Sequence, residues 1–309
     1  MKNWILNKIA FIAEQIPFTV LRGRTKYPPV LPFYHTVSNT PLQHIDSYPV
    51  RTEKQFEKEL DFLLRHFKAV DLETIIQKPG YNYMHLSFDD GLKECYTVIA
   101  PILLKKGIPA TFFVNPGFVD NQKIFHRFKK TLLKRDGILP NNSRVYSIAD
   151  NEELNHLAEQ NNVSFQKYLD DFQPYLSYDE IAYLHEKGFL IGAHSMDHPE
   201  FGLLSLNDQL NQIQQSISWV NSHFNPALKV FSFPFTDHGV SKELFEMMHD
   251  KKIVDYTFGT AGLKNDNIPF HFQRIHIERT QNWSVKKTLH FEYFYYFVRS
   301  VFGKNVVTH

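Results

Sequence analysis

The sequence predicts an α/β fold, a (β/α) barrel of about seven parallel strands, and three observations lead there. Short apolar runs bounded by turn residues alternate with amphipathic stretches through most of the 309 residues. The order "MHLSF", "LKECYTVIAPILLKKG", "PATFFV" is strand, helix, strand, and such a βαβ unit needs a parallel pair. About seven such units in roughly 250 residues suit a closed barrel better than an open sheet.

Each element has a local reason. "VLPFYHTV" reads as a first strand, Val30 to Tyr34, ending at His35. "TEKQFEKELDFLLRHF" is a helix with a Thr52/Gln55 capping box and Phe56, Leu60, Leu63 and Phe67 on one face. In "LKECYTVIAPILLKKG", Pro101 predicts a kink or restart and Gly107 the stop. Residues of about 118–174 are polar and helical in patches, "IFHRFKKTLLKR" and "NEELNHLAEQ", and read as an inserted helical segment. "SYDEIAYLHEKG" is a helix capped by Ser177 and Glu180, and "FLIGAHS" is a strand. "SLNDQLNQIQQSISWVNSHF" is a long amphipathic helix. "VFSFPF" and "DYTFGT" are strands flanking the helix "KELFEMMHDK", and "FQRIHIER" is the last strand.

The ends flank the barrel. Residues 1–27 form an amphipathic helix, 28–280 the barrel, and 281–309 a very aromatic helix that covers it. In the N-terminal helix Ile5, Ile9, Ile12 and Ile16 fall on one face, which packs on the barrel or lies on a membrane surface. Trp4 and the basic "RGRTK" suit the second reading. Asn7 and Lys8 interrupt the apolar core that a signal peptide would need, so a cytoplasmic protein is expected, with peripheral membrane contact through this helix. No run approaches the roughly 20 apolar residues of a membrane span.

Composition narrows the function. With 34 basic and 33 acidic residues the net charge is +1, which argues against a nucleic-acid partner. The single cysteine, Cys95, excludes an intrachain disulfide framework and fits a reducing compartment. It sits on a helix and reads as packed rather than nucleophilic, and His85 likewise reads as a packing residue.

The chemistry concentrates at strand ends. Asp89 and Asp90 follow the strand ending at Phe88, and His194 and His198 follow "FLIGA". All four lie at the same end of parallel strands. Adjacent buried carboxylates repel, so a cation gives the pair a purpose. One carboxylate with two imidazoles makes a divalent-metal site with open positions, and the other carboxylate stays free to take a proton.

"LSFDDG" and "HSMDH", followed by "FSFPF", resemble the motifs of the polysaccharide deacetylases, the nodulation-protein-B-like group of carbohydrate esterases. The resemblance spans roughly residues 28–280. It implies a distorted (β/α) barrel and removal of an acetyl group, usually N-acetyl, from a sugar. It also implies Asp89 as general base and Asp90, His194 and His198 as ligands of a metal, usually zinc, with cobalt or nickel as alternatives.

The third family motif departs from pattern. It usually reads Arg-x-Pro-Tyr, and here Ser232, Phe233, Pro234 and Phe235 stand in its place. Phe235 can supply the oxyanion-hole N–H next to Pro234, but the arginine that orients the base is missing. Arg274, on a neighbouring strand, is the candidate replacement. His276 in "RIHIE" is the candidate for the family's acid. His35 is a second, and Asp237 with His238 a third.

The expected function is therefore a metal-dependent deacetylase of a sugar or polysaccharide precursor. Two alternatives are a hydrolase of a non-sugar amide on the same fold and a catalytically weakened sugar-binding member.

Overall fold

The computed structural model describes residues 2–25, 29–141, 144–279 and 282–309. Lys26 of the basic run and the expected boundaries near 27 and 280 lie outside the described residues. Eight strand segments form one parallel sheet: β1 (Pro32–Tyr34), β2 (Leu86–Phe88), β3 (Ala110–Val114), β4 (Leu190–Ala193), β5 (Val230–Ser232), β6 (Tyr256–Gly259), β7 (His271–Gln273) and β8 (Ile275–His276). The sheet begins at β7, runs back through β6, β5, β4, β3, β2 and β1, and ends at β8. Only Arg274 separates β7 from β8. The two are one bent strand that pairs with β6 through Gln273↔Gly259 and with β1 through Pro32↔Ile275. That bend closes a barrel with seven strand positions, so "FQRIHIER" is a single strand broken where it turns the corner.

The strands are apolar on both faces, as a covered parallel sheet requires. Outward residues such as Phe88, Phe112 and Phe231 join one large core with the surrounding helices. These include Glu53–His66, Tyr178–Glu186, Leu206–Phe224 and Lys242–Asp250. Inward space is tight: a Cβ on Gly192 would lie 2.5 Å from the Phe113 ring and 2.8 Å from Val230.

Local signals act as their chemistry dictates. Thr52 and Ser177 each complete a capping box, with Gln55 and Glu180. Pro101 has no N–H to give, and the turn before it, Cys95–Ile99, widens into a π-helix before an α-helix resumes at Ala100. Gly107 ends that helix at φ +64°. The strand of "VFSFPF" stops at Ser232. Pro234 cannot donate to a ladder, and Phe235 takes φ +58°.

The N-terminal helix, Lys2–Glu14, buries only part of the isoleucine stripe: Ile9 and, just after the helix, Ile16 are half-buried. Ala10 and Ala13 are fully buried, while Ile5 and Ile12 are exposed together with Trp4 and Phe11. The reason is close packing on the C-terminal helix, Val285–Val301, and the segment before it. Small alanines let the helices approach, Leu6 and Ile9 pack beside Trp283 and Phe291, and Asn7 accepts from the Trp283 indole at 2.7 Å. Among the described residues, no helix is long and apolar enough to cross a membrane.

Candidate active site

The C-terminal ends of β1, β2, β4 and β5 open into a cavity of about 340 Å³, a size suited to a small-molecule site. Asp89, Asp90, His194, His198, Phe235, His276 and His35 all line it. Asp237 and His238 do not. Asp237 turns away to His271 and Gln273, at 3.1 and 2.5 Å, and His238 is exposed.

Three groups converge on one point. Asp90 Oδ1 lies 3.1 Å from His198 Nε2 and 3.5 Å from His194 Nε2. These approaches lack hydrogen-bond angles, and Asp90 Oδ1 is buried without a hydrogen-bond partner. His194 Nδ1 donates to the Ser232 carbonyl at 2.8 Å, which leaves the Nε2 lone pair facing Asp90. Lone pairs from a carboxylate and an imidazole, aimed together in a buried space, suit a divalent cation. The donor set therefore fits the metal that the fold family implies. Burial opposes the Asp90 charge, yet His198 and His194 hold its pKa well below the ordinary value. Burial pushes His198 down.

The backbone around this point is strained. Asp90, Ser195, His198 and Phe235 all have positive φ, 72°, 66°, 53° and 58°. Non-glycine residues rarely adopt this region, and such outliers gather at functional sites. Local bonds hold them. Ser195 Oγ accepts from the His198 N–H at 3.0 Å, and Asn115 Nδ2 donates to the carbonyls of His194 and Ser195.

Asp89 has a different environment. Arg274 grips it with two parallel bonds, Nη1 to Oδ1 at 2.8 Å and Nη2 to Oδ2 at 2.7 Å. The guanidinium also donates to Ser87 and Ser232 and lies 4.2 Å over the Phe33 ring. Arg274 is 1% exposed, so it fills the barrel interior beneath the site. Ser232, where the family motif has arginine, is small enough to leave room for it. Burial opposes ionisation of Asp89, but the Arg274 charge outweighs this and lowers its pKa.

The two candidate acids differ. His35 Nδ1 lies 2.6 Å from Glu278, which also accepts from the His35 and Thr36 backbone N–H groups. Burial would lower the His35 pKa, but Glu278, Asp90 and Asp89 together raise it to about 9. His276 stacks on Phe33, and its buried Nε2 has no partner. Burial and the neighbouring His35 push it down to about 3.

Cys95 and His85 pack as their positions suggest. Cys95 is buried with a raised pKa, and His85 bonds the Val70 carbonyl and Thr111.

Several lining residues carry no local sequence signal. Phe125, Arg127 and Phe128 come from the inserted segment and wall one side. Arg127 lies 3.7 Å over the Phe235 ring and pairs with Glu200 at 3.3 Å. Tyr48 stacks on His35 at 4.5 Å. Asn115 was open to sequence reasoning, because it is a polar residue at the end of a strand.

Comparison with known proteins places the fold. Three solved structures share the fold at low identity. A Streptococcus pyogenes deacetylase, PplD, in complex with acetate has a TM-score of 0.57 at 14% identity, over 86% of this chain and 98% of its own. IcaB from Ammonifex degensii has a TM-score of 0.58 at 16% identity, over 85% and 97%. A de-N-acetylase from Aggregatibacter actinomycetemcomitans has a TM-score of 0.57 at 14% identity, over 85% and 99%. A search of curated protein sequences found no match. The family model for polysaccharide deacetylase matches residues 77–248, more than half of the sequence, and takes in Asp89, Asp90, His194, His198 and Phe235. The chain belongs to the polysaccharide deacetylase family.

Proposed function

We propose that this protein is a metal-dependent hydrolase that removes an acetyl group, N-acetyl in the first instance, from a sugar or polysaccharide precursor. The observation that carries the reading is an arginine-held carboxylate, Asp89, beside Asp90, His194 and His198, whose facing atoms converge on one buried point where Asp90 Oδ1 has no hydrogen-bond partner.

Asp90, His194 and His198 would hold the metal, with zinc the first choice and cobalt or nickel as alternatives. When bound, a divalent cation polarises the acetyl carbonyl and acidifies water. The chain's own residues do the rest. Asp89, ionised and fixed by Arg274, accepts the proton of the attacking water on a carboxylate oxygen. The backbone N–H of Phe235, next to Pro234 in the cavity wall, is the donor we assign to the developing oxyanion. The leaving nitrogen needs a proton, and His35 supplies it. Glu278, 2.6 Å from its Nδ1, favours the protonated imidazole, with a pKa near 9 before metal binds, whereas burial pushes His276 down to about 3. His35 thus replaces His276 as the preferred acid. Glu278 orients it and keeps it charged.

The gap in the third motif was the ground for a weakened sugar-binding member. Arg274 fills it from the barrel interior, which favours an active enzyme. The test is acetate release from acetylated mono- and oligosaccharides, with metal content measured in parallel. His194→Ala should lose most bound metal and activity. Asp89→Asn should keep metal and lose activity by roughly 10²-fold or more. Undiminished metal in His194→Ala would reject the site.

A further inference from the structure

The N-terminal helix carries two apolar faces, and they differ in kind. At about 3.6 residues per turn, Ala10 and Ala13 fall with Leu6 and Ile9 on the side that meets Trp283 and Phe291. Trp4, Ile5, Lys8, Phe11 and Ile12 fall within one arc on the opposite side. All five are exposed, Trp4 by 61% and Phe11 by 64%. After Pro17, Val20 is exposed as well, one helical turn from the exposed Arg24. The inner face is enough to hold the helix on the fold. Four large apolar side chains gathered on its outer face mark a contact surface.

The chemistry of that face selects the partner. Lys8 stands in the middle of it, with its Nζ 3.7 Å over the Trp4 ring. Protein–protein interfaces are depleted of lysine. A bilayer surface suits the same pair. Tryptophan settles at headgroup level, and a lysine stem lies along apolar surface while its ammonium stays among the phosphates.

The charge agrees. Residues 1–24 hold Lys2, Lys8, Arg22 and Arg24 against Glu14, a net +3 (four minus one). The remaining residues hold 30 basic and 32 acidic side chains, a net −2 (34 minus 4 against 33 minus 1). Arg22 donates to the His66 carbonyl, and the balance stays positive without it. Glu14 lies off the outer face, half-buried, where its charge acts on His290. Leu6 of the same helix lines a cavity whose wall includes Thr260 and His276, and both also line the catalytic cavity. A docked helix therefore keeps the catalytic cavity close to the lipid.

We propose that the outer face of the N-terminal helix, formed by Trp4, Ile5, Lys8, Phe11 and Ile12, docks this protein on an anionic lipid bilayer. The proposal stands apart from the deacetylase reading, and its test reads binding rather than turnover.

The test is co-sedimentation of the full chain with vesicles of phosphatidylcholine alone and of an equimolar mixture with phosphatidylglycerol. The wild type should bind the mixed vesicles at least tenfold more tightly than the neutral ones. Trp4→Glu and Phe11→Glu should each weaken that binding at least tenfold, and Lys8→Glu should narrow the gap between the two vesicles. Val145→Glu, which replaces an exposed apolar side chain elsewhere, should bind as the wild type does. All these side chains are exposed, so the variants should fold, and circular dichroism checks it. Brominated phosphatidylcholine in the mixed vesicles should quench tryptophan fluorescence in the wild type and not in Trp4→Phe, which keeps an aromatic ring and the binding. No binding of the wild type to either vesicle overturns the proposal. So does undiminished binding by Trp4→Glu and Phe11→Glu, or equal affinity for the two vesicles. An equal loss in Val145→Glu would reduce the effect to added negative charge and overturn it too. A dimer in analytical ultracentrifugation that Phe11→Glu dissociates, with no vesicle binding, would give the face to a second copy of this chain instead.

Discussion

Arg274 holds Asp89 through two parallel hydrogen bonds of 2.7 and 2.8 Å, with both side chains almost wholly buried. The pair joins the corner between β7 and β8 to the end of β2. The residue that closes the barrel is thus also the one that fixes the proposed base. This coupling explains why a motif can lose its arginine at position 232. The guanidinium arrives from another strand, and Ser232 accepts a bond from it.

Removing this arginine should cost both stability and rate. Arg274→Ala leaves a buried carboxylate unpaired, worth about 3–5 kcal/mol of stability. Arg274→Lys should lose less, because one charge remains without the two-pronged grip. The pH dependence has a definite sign. Asp89 has a depressed pKa in the folded chain, so the pair stabilises fully above the unfolded value of about 3.9. That contribution fades as pH falls through the folded value. In Arg274→Ala the Asp89 pKa rises, and the acid limb of kcat/KM should move to higher pH. Chemical denaturation and a pH–rate profile measure these effects. An unmoved acid limb would mean that Arg274 does not tune the base.

His35 and Glu278 predict the alkaline side. An acid must be protonated, so activity should fall as pH rises through the His35 pKa, near 9 before any metal is bound. Glu278→Gln removes the strongest group raising that pKa, and the alkaline limb should shift to lower pH. Stability follows the same sign. The His35–Glu278 pair contributes fully below the unfolded histidine value of about 6.5 and loses that contribution as pH rises toward 9. His35→Ala should reduce kcat by about 10²-fold or more while metal content stays near that of wild type. If His276→Ala proved the more damaging of the two, the assignment would reverse.

The barrel and the centre of the site were legible for one reason: strand ends are marked in sequence. An apolar run followed by Asp-Asp or by His-x-x-x-His announces both a strand and its working end. Arg274 was legible only as a candidate, because its target depends on how β7 bends into β8. Phe125, Arg127 and Tyr48 were not legible, since the insertion and the loop after β1 fold back over long sequence distances. The N-terminal helix follows its isoleucine stripe only in part, with Ile9 and Ile16 packed. Its isoleucines suggested a buried stripe, but close helix packing selected Ala10 and Ala13 and left Ile5 and Ile12 outside.

Gly192 tests how tightly the barrel is packed. An alanine there would press its Cβ against the ring of Phe113 and against Val230. Overpacking of this kind costs about 1–3 kcal/mol. Gly192 lies two residues before His194, so strain should also reach the proposed metal loop. Gly192→Ala should melt at lower temperature, and Gly192→Ala with Phe113→Leu should recover part of the loss. Unchanged melting in the single variant would show that the interior relaxes freely.

Asn115 offers the test of how the proposed metal loop is held. Its amide nitrogen donates to the carbonyls of His194 and Ser195, so it fixes the turn that carries both histidines. The turn needs fixing, because Ser195 and His198 sit at positive φ and each such residue costs on the order of 1–3 kcal/mol. Without the amide, the loop can relax toward ordinary backbone angles and draw His198 away from Asp90. Asn115→Ala should therefore weaken metal affinity by about 10–100-fold while Asp89 and Arg274 keep their pairing. Chelator competition measures the affinity, and activity restored by excess metal separates a loosened site from a damaged one. Wild-type metal affinity in Asn115→Ala would show that the loop holds its strained angles unaided.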